Sequence, residues 1–337
     1  MELEIGETPA VLARILDKSD EIAKLAELIR GKRFYSVMIV ARGTSDNAAH
    51  FLKQLVEVEI GIPVGLASPS IVTVYGAQLN YQGALVIAIS QSGQSPDLIT
   101  YLKAAKSGGA VTLSLTNDSN SPLAKSADHH LDLSAGEEKA VAATKSYTAQ
   151  LFTSLLLATM WSGKESYFTN LEKTAEDLVK RESELKPILD ELNCETQIVV
   201  IGRGYSYANA KELALKIQET SHIAVQGMSA ADYLHGPIAA VTSETRVFLF
   251  LPNGSNSEGL VKSVAKLRER TSHLIWIGSG ELAVGSEIVL TGSKMGSEAT
   301  STVLDAILLQ KIALRFAEKN GFNPDSPEGL SKVTLTL

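Results

Sequence analysis

Cysteine is almost absent from this sequence, and the patterns of exported and membrane-spanning proteins are missing as well. The single cysteine, Cys194, cannot form a disulfide within the chain and excludes cysteine-rich zinc sites. The start of the chain, Met1-Glu2-Leu3-Glu4, lacks the basic and apolar regions of a signal peptide. The most apolar stretch, Tyr147 to Trp161, is shorter than the ~20 residues that a membrane span needs. We therefore expect a cytoplasmic protein with no membrane partner.

Basic charge and cofactor motifs are also scarce. The formal net charge is −7 and no basic stripe is visible, so we expect no nucleic-acid partner. The segment Gly202-Arg203-Gly204 lacks the third glycine of a dinucleotide fingerprint, and no nucleotide P-loop sequence occurs. The six histidines do not have the spacing of metal ligands. The sequence therefore predicts neither a metal nor an organic cofactor.

Apolar runs alternate with helical patterns along most of the chain. An amphipathic helix from about residue 8 to 29 comes first, and apolar strands follow at 37–41 and 84–89. Each of these strands leads into a glycine-containing turn and then a helix, and further strands are predicted at 111–115 and 131–133. Strands separated by helices indicate parallel βαβ units that are buried on both faces.

The strand–glycine turns recur at a constant offset. Gly204 lies 161 residues after Gly43, and Gly254 lies 161 residues after Gly93. A period of this length indicates a duplicated domain, so the predicted fold is α/β with two tandem doubly wound parallel sheets in three layers. The predicted organisation is an N-terminal helix (1–35), a first domain (36–165), a linking helix (166–195), a second domain (196–322) and a C-terminal tail (323–337).

The first repeat carries a cluster of hydroxyl groups that the second repeat lacks. The second strand of the first repeat ends in Ser90-Gln91-Ser92-Gly93-Gln94-Ser95-Pro96, whereas the second repeat has Leu251-Pro252-Asn253-Gly254-Ser255-Asn256-Ser257. Ser95 and Pro96 are good starting residues for a helix, whose free N–H groups would attract an anion. Polar residues that merely fill turns are the alternative. We predict a phosphate cradle made of Thr44, Ser45, Ser90, Gln91, Ser92 and Ser95.

The second repeat offers acid–base groups instead. Glu212, Lys216 and Glu219 have spacings of four and three and therefore share one helix face, although a solvated Glu–Lys pair would have the same spacing. His235 precedes a Gly-Pro turn, and a structural histidine is the alternative there. A carboxylate and a histidine are what enediol chemistry on a sugar phosphate needs, as a base and as an acid for ring opening.

The ordered set of motifs resembles the double sugar-isomerase (SIS) domain proteins over nearly the whole chain. The resemblance is strongest to the isomerase part of glucosamine-6-phosphate synthase and to the stand-alone amino-sugar-phosphate deaminases. The motifs that carry it are Arg42-Gly43-Thr44-Ser45, Ser90-Gln91-Ser92-Gly93, Val141-Ala142-Ala143-Thr144-Lys145, Leu215-Lys216-Ile217-Gln218-Glu219, Leu234-His235-Gly236-Pro237 and Leu330-Ser331-Lys332.

The resemblance implies a role for each matching residue. It implies that the cradle residues bind the 6-phosphate and that Glu219 moves a proton between C1 and C2. His235 would open the sugar ring from the neighbouring subunit, Lys216 would lie near the sugar, and Lys332, in a tail that closes the active site, would contact its carbonyl. Further substrate contacts are implied for Arg42, Gly43, Val141 and Ala143. Two positions depart from the synthase, because Ala143 replaces a serine and Gln218 replaces a lysine.

These features lead to a ranked set of functions. Only about 35 residues precede the first strand, so we expect neither a glutamine-hydrolysing domain nor DNA-binding helices. The leading expectation is deamination of glucosamine 6-phosphate to fructose 6-phosphate and ammonia. A fructosamine-6-phosphate deglycase, another ketose–aldose 6-phosphate isomerase, and a non-catalytic sugar-phosphate sensor are the alternatives. The family histidine, together with two apolar-faced helices at 147–161 and 303–316, predicts a homodimer with shared active sites.

Overall fold

The computed structural model describes residues 1–164, 168–255 and 257–332, and the chain forms two compact units. The first-repeat unit comprises Ala10–Glu138, Lys145–Thr169 and the tail from Ser331. The second-repeat unit comprises Met1–Pro9, Lys139–Thr144 and Asn170–Leu330. Each unit therefore combines segments that are distant in the chain.

Ten strands and fourteen α-helices are formed by the described residues. The strands are β1 (Ser36–Val40), β2 (Val64–Leu66), β3 (Ala84–Ser90), β4 (Val111–Thr116), β5 (His129–Asp132), β6 (Ile198–Gly202), β7 (Gln226–Ser229), β8 (Arg246–Leu251), β9 (Leu274–Gly278) and β10 (Ile288–Thr291). The helices are α1 (Glu2–Gly6), α2 (Thr8–Asp17), α3 (Ser19–Arg30), α4 (Gly43–Glu59), α5 (Ser70–Thr73), α6 (Pro96–Ser107), α7 (Pro122–Ser126), α8 (Lys145–Trp161), α9 (Leu171–Val179), α10 (Lys186–Asp190), α11 (Tyr207–Ser221), α12 (Ala230–Leu234), α13 (Glu258–Arg268) and α14 (Glu298–Lys319).

Each unit is built on one parallel five-stranded sheet, which confirms the predicted α/β fold. The strand order is β2-β1-β3-β4-β5 in the first-repeat unit and β10-β9-β8-β6-β7 in the second-repeat unit. The interior strands β3 and β6 are buried along their whole length, as expected when helices cover both faces of a sheet. In each sheet the two strands that precede the repeated glycine turns are direct neighbours, β1 with β3 and β6 with β8.

Two helices that were expected to need partners are buried within their own units. In α8 nearly every residue is buried, and the helix packs on α3 and α4 of the first-repeat unit. In α14 the residues from Ala299 to Leu314 are all buried, and the helix packs on α9 and α11 of the second-repeat unit. The apolar faces of these helices therefore do not call for a second subunit, and the homodimer expectation loses that support.

Two predicted helices are broken into shorter pieces. The N-terminal helix expected at 8–29 is divided at Lys18, where α2 ends and α3 begins. Ser19, Asp20 and Glu21 then provide a polar first turn that favours a new helix start. The linking segment contains α9, a short 3₁₀ helix at Ser183–Leu185 and α10. Pro187 lies in the first turn of α10. Proline is accepted at this position, whereas it would break a helix interior.

Candidate functional site

The predicted phosphate cradle lies where two neighbouring strands of the first-repeat unit end. Strand β1 leads into α4, which begins at Gly43, and β3 leads into α6, which has Ser95 as its N-cap. Because β1 and β3 are adjacent and parallel, the N-termini of both helices lie at the same edge of the sheet. Helix N-termini present unpaired N–H groups and a positive dipole end to this edge. The arrangement suits an anion.

Three serine hydroxyls of the cradle are already engaged as acceptors. Ser90 Oγ accepts from the Gly93 N–H at 3.1 Å, and Ser92 Oγ accepts from the Gln94 N–H at 3.3 Å. Ser45 Oγ accepts from the Gln150 side-chain amide at 2.9 Å. A hydroxyl that accepts one hydrogen bond keeps its own proton for donation. These contacts therefore hold the serines so that they can donate to a ligand.

Four of the cradle residues are partly exposed. Thr44 lies in the first turn of α4, Gln91 and Ser92 lie in the turn after β3, and the Ser95 side chain makes no capping bond to its own helix. Gly93 has φ = +63°, and a Cβ there would come within 2.3 Å of Ser121 Oγ, so the turn requires glycine. The turn that carries the hydroxyls is thus fixed by packing beneath it.

Arg42 joins the two loops of the cradle through an ion pair. Its Nε lies 2.8 Å from a carboxylate oxygen of Asp97, which is the second residue of α6 and is almost fully buried. A buried carboxylate needs such a partner to compensate for its lost hydration. We interpret Arg42 as a residue that positions the cradle. The neighbouring Gly43 has φ = +54° and faces open space among the described residues.

Lys332 contacts a buried carboxylate of the first-repeat unit that the sequence did not single out for a role. Its Nζ lies 2.9 Å from Glu138 Oε2, and the Glu138 side chain is fully buried. The same carboxylate accepts from the Ser146 N–H at 3.1 Å and from the Ser146 hydroxyl at 2.7 Å. Glu138 therefore fixes the position of the tail lysine. In the sequence, the only signal for Glu138 is its place just before the Val141–Lys145 motif.

The acid–base candidates of the second-repeat unit form a buried charged group on α11. Lys216 Nζ lies 3.5 Å from Glu212 Oε1 and forms a short hydrogen bond with the Glu219 carboxylate. The side chains of Glu212 and Lys216 are 0% and 1% exposed, whereas that of Glu219 is 24% exposed. This burial rules out a solvated surface pair. Glu219 is the member of the group that a ligand can reach.

The other predicted contacts of the second-repeat unit lie on separate segments. His235 is exposed at the C-terminal end of α12, where its N–H donates to the Asp232 carbonyl at 3.0 Å. Among the described residues, no hydrogen bond or ion pair joins the His235 side chain to the α11 group. Val141 and Ala143 are partly exposed, and the Val141 N–H donates to the Asp325 carbonyl at 3.1 Å.

Neither a cluster of metal-binding side chains nor a membrane-spanning helix is found in the described part of the chain. Within residues 1–164, 168–255 and 257–332, no group of three or more histidine, cysteine, aspartate or glutamate side chains could hold a metal ion. In the same part of the chain, none of the helices has the length and apolarity to cross a membrane.

Known proteins resemble this chain across both repeats. The SIS domain family model matches residues 28–160 and 191–306. A glutamine–fructose-6-phosphate aminotransferase (isomerizing) from Pyrococcus horikoshii is 31% identical over 339 residues, which cover 98% of this chain and 56% of the relative. The chain thus spans about half the length of the curated relatives it matches.

Solved structures agree with the family match. A protein from Silicibacter pomeroyi named as a phosphosugar isomerase has a TM-score of 0.88 and 30% identity, over 96% of this chain and 99% of that one. The C-terminal domain of a glucosamine-fructose-6-phosphate aminotransferase from Francisella tularensis has a TM-score of 0.83 over 96% of each chain, and its 24% identity supports the fold alone. Because both repeats match the family model and similarity extends over the whole fold, the chain belongs to the SIS domain family.

Proposed function

We propose that this protein is a sugar-phosphate isomerase and deaminase that converts an amino sugar 6-phosphate to a ketose 6-phosphate and ammonia. The proposed substrate is glucosamine 6-phosphate and the proposed product fructose 6-phosphate. The observation that carries the proposal is the pair of helix N-termini with prearranged serine hydroxyls in the first repeat. The cytoplasmic location is part of the proposal and rests on the sequence.

The 6-phosphate would be held by the cradle without a lysine. The hydroxyls of Ser90 and Ser92 are oriented by backbone N–H groups, and Ser95 and Thr44 add hydroxyls near the starts of α6 and α4. Hydrogen bonds to a charged acceptor are stronger than those between neutral groups. A chain with a net charge of −7 can bind an anion in this way through local donors.

Proton transfer would use the reachable carboxylate of the α11 group. The Glu219 carboxylate would take the proton from C2 and return it at C1, which leaves an imine at C2. Water then adds to C2, and the amino group leaves as ammonia. The hydrogen bond from Lys216 would orient Glu219 for both transfers. His235 would assist ring opening, and Lys332 would meet the carbonyl end of the open sugar.

The same groups would also serve a simpler reaction. A ketose–aldose 6-phosphate isomerase or a fructosamine-6-phosphate deglycase needs the same cradle and the same base. The name of the Pyrococcus horikoshii relative includes the word isomerizing, which favours an isomerase as the second candidate. A non-catalytic sensor would have no need for a buried ionic group, and the burial of Glu212 and Lys216 argues against it.

A panel of sugar phosphates tests the proposal. The pure protein would be incubated with glucosamine, galactosamine, fructosamine and glucose 6-phosphates, without glutamine, while ketose and ammonia are measured. The deaminase proposal expects equal amounts of ketose and ammonia from glucosamine 6-phosphate. Interconversion of glucose 6-phosphate and fructose 6-phosphate, with no ammonia from any amino sugar, would leave an isomerase. No turnover of any of these sugar phosphates would exclude catalysis on this substrate class.

The proposal includes a homodimer in which His235 acts in the partner's site. Two inactive variants, Glu219→Gln and His235→Ala, would be mixed under conditions that exchange subunits. Hybrid dimers would contain one site with both groups intact, so part of the activity should return. Absence of recovery after verified exchange would show that each chain works alone.

A further inference from the structure

The second repeat keeps the backbone of the cradle although it has lost most of the hydroxyls, with only Ser206 retained as the counterpart of Ser45. Gly204 follows β6 with φ = +62°, and Gly254 follows β8 with φ = +88°. Their counterparts Gly43 and Gly93 have φ = +54° and +63°. Because β6 and β8 are parallel neighbours, the chain after both strands turns at one edge of the sheet, as in the first repeat.

A carboxylate of the same unit occupies this edge. Glu298 is the first residue of α14, and a Cβ on Gly204 would lie 2.9 Å from its Oε1. A Cβ on Gly254 would lie 2.9 Å from the Glu298 backbone nitrogen. The side chain and the backbone of one residue thus contact the two glycines that mark the repeated turns.

The carboxylate is bound as an anion would be. Burial raises the pKa of Glu298, while a hydrogen bond from the Tyr205 N–H acts in the opposite direction. Tyr205 is the counterpart of Thr44 at the offset of 161, so the N–H that binds the carboxylate corresponds to one in the first cradle. The second turn therefore holds a carboxyl group through an N–H that corresponds to one in the first cradle.

The helix that carries Glu298 begins with a different charge from its counterpart in the first repeat. The helix that follows the last strand of each sheet starts with Lys145 in the first repeat and with Glu298 in the second. The Lys145 ammonium donates to the Glu137 carbonyl at 2.6 Å, and a Cβ added to Gly43 would have no described atom within 4 Å. Among the described residues, no atom lies against Gly43 as the Glu298 carboxylate lies against Gly204.

We propose that the second repeat retains a binding site for a tetrahedral oxyanion such as phosphate, and that the Glu298 carboxylate is its internal ligand. The proposed site consists of the turns at Gly204 and Gly254 and the N–H of Tyr205. It goes beyond the proposed reaction and does not depend on it. Occupation by Glu298 restricts phosphate binding to the first repeat, so that each chain holds its substrate in one way.

The test removes the internal ligand and counts bound phosphate. Binding of radiolabelled inorganic phosphate would be measured by equilibrium dialysis for the unaltered protein, for Glu298→Ala and for Glu269→Ala, an exposed control next to α13. Each would also be made together with Ser92→Ala and Ser95→Ala. Glu298→Ala should bind one more phosphate per chain than the unaltered protein in both backgrounds, and the control should not.

The outcomes separate this proposal from the proposed function. If Ser92→Ala with Ser95→Ala leaves phosphate binding intact, the first cradle is wrongly assigned. The number of phosphates bound by Glu298→Ala can still be compared with that of the unaltered protein. An unchanged number of bound phosphates in Glu298→Ala would overturn the internal ligand. If Glu298→Ala folds poorly, phosphate should raise its melting temperature more than that of the Glu269→Ala control, and an equal rise would also overturn the proposal.

Discussion

The two repeats present the same strand–glycine turns to different surroundings. In the first repeat, hydroxyls surround the turns and Gly43 faces open space among the described residues. In the second repeat, Glu298 lies against Gly204 and Gly254. The backbone survived the duplication in both copies, whereas the side chains around it diverged. A strand–turn–helix framework therefore sets where an anion can lie, and a few side chains decide whether it is a ligand or part of the protein.

The largest expected effect tests whether proton transfer belongs to the second repeat. Glu219→Gln should lower kcat by ~10²-fold or more with little change in KM, because a lost general base affects the transition state and not substrate binding. Steady-state kinetics would measure both constants, with Glu269→Gln as the control. Full activity of Glu219→Gln would remove this residue from the mechanism.

The second prediction tests whether phosphate binding belongs to the first repeat. Ser92→Ala with Ser95→Ala removes two donors, each worth about 1.5–3 kcal/mol toward a charged group, so KM should rise at least about tenfold. A change at the turn after β8 and at the N-cap of α13 in the second repeat, Asn253→Ala with Ser257→Ala, should leave KM unaltered. If the second-repeat double variant raises KM more than the first-repeat double variant does, the phosphate site lies in the second repeat and the prediction is wrong.

The third prediction compares the two turns by their glycines. Alanine at a left-handed position costs about 1–2 kcal/mol, so both Gly43→Ala and Gly204→Ala should lower the free energy of unfolding. Gly204→Ala should cost an additional ~0.5–1.5 kcal/mol, because its Cβ forces Glu298 from its rotamer. Urea unfolding would measure both values.

The control for that comparison is a double variant. Adding Glu298→Ala should abolish the extra cost of Gly204→Ala and leave the cost of Gly43→Ala as it was, since only the first of these pairs is in contact. If Gly204→Ala has the same extra cost in unfolding free energy with and without the Glu298 side chain, the carboxylate does not contact the turn.

The smallest expected effect is a loss of stability in acid. It concerns the second-repeat unit and alters neither cradle. Hydrogen bonds from Arg315 lower the pKa of Glu182 in the second-repeat unit from 4.5 to about 2, and Lys311 adds to the effect. Since the folded-state pKa is the lower one, the stabilisation is complete above pH 4.5 and is lost as the pH falls toward 2. Glu182→Gln should therefore have a lower free energy of unfolding than the unaltered protein at pH 7. The difference between the two proteins should become smaller as the pH falls.

Amide hydrogen exchange would locate that acid effect. Protection of α14, which carries Lys311 and Arg315, should decline with falling pH more in the unaltered protein than in Glu182→Gln. Equal declines in both proteins would contradict a role of this carboxylate in acid stability.

The regular parts of the fold could be predicted from the sequence. The strands β1 and β3 are apolar runs that end in glycine turns, and the structure has them within one residue of the predicted bounds. The strands β2 and β7 were not predicted, because each has only three or four residues and contains a glycine in place of an apolar run.

The candidate site could be predicted only in part. The cradle residues follow strand ends, which local patterns reveal, and the structure brings them to one sheet edge. The burial of Glu212 and Lys216 could not be predicted, because a solvated Glu–Lys pair has the same spacing. Glu138 and Glu298 were missed because their partners are distant in the chain, and only the folded structure brings Lys332 and Gly204 to them.

The second-repeat unit is formed by segments that are distant in the chain, and this affects how the protein folds during synthesis. Glu2 pairs with Arg315 across 313 residues, and Glu4 accepts hydrogen bonds from the backbone near Lys139. On the ribosome, the segment Met1–Pro9 emerges long before α14 exists. Contacts over such distances form slowly, and the apolar surface that awaits them is exposed meanwhile. The earliest-made residues of this unit are thus among the last to reach their final contacts.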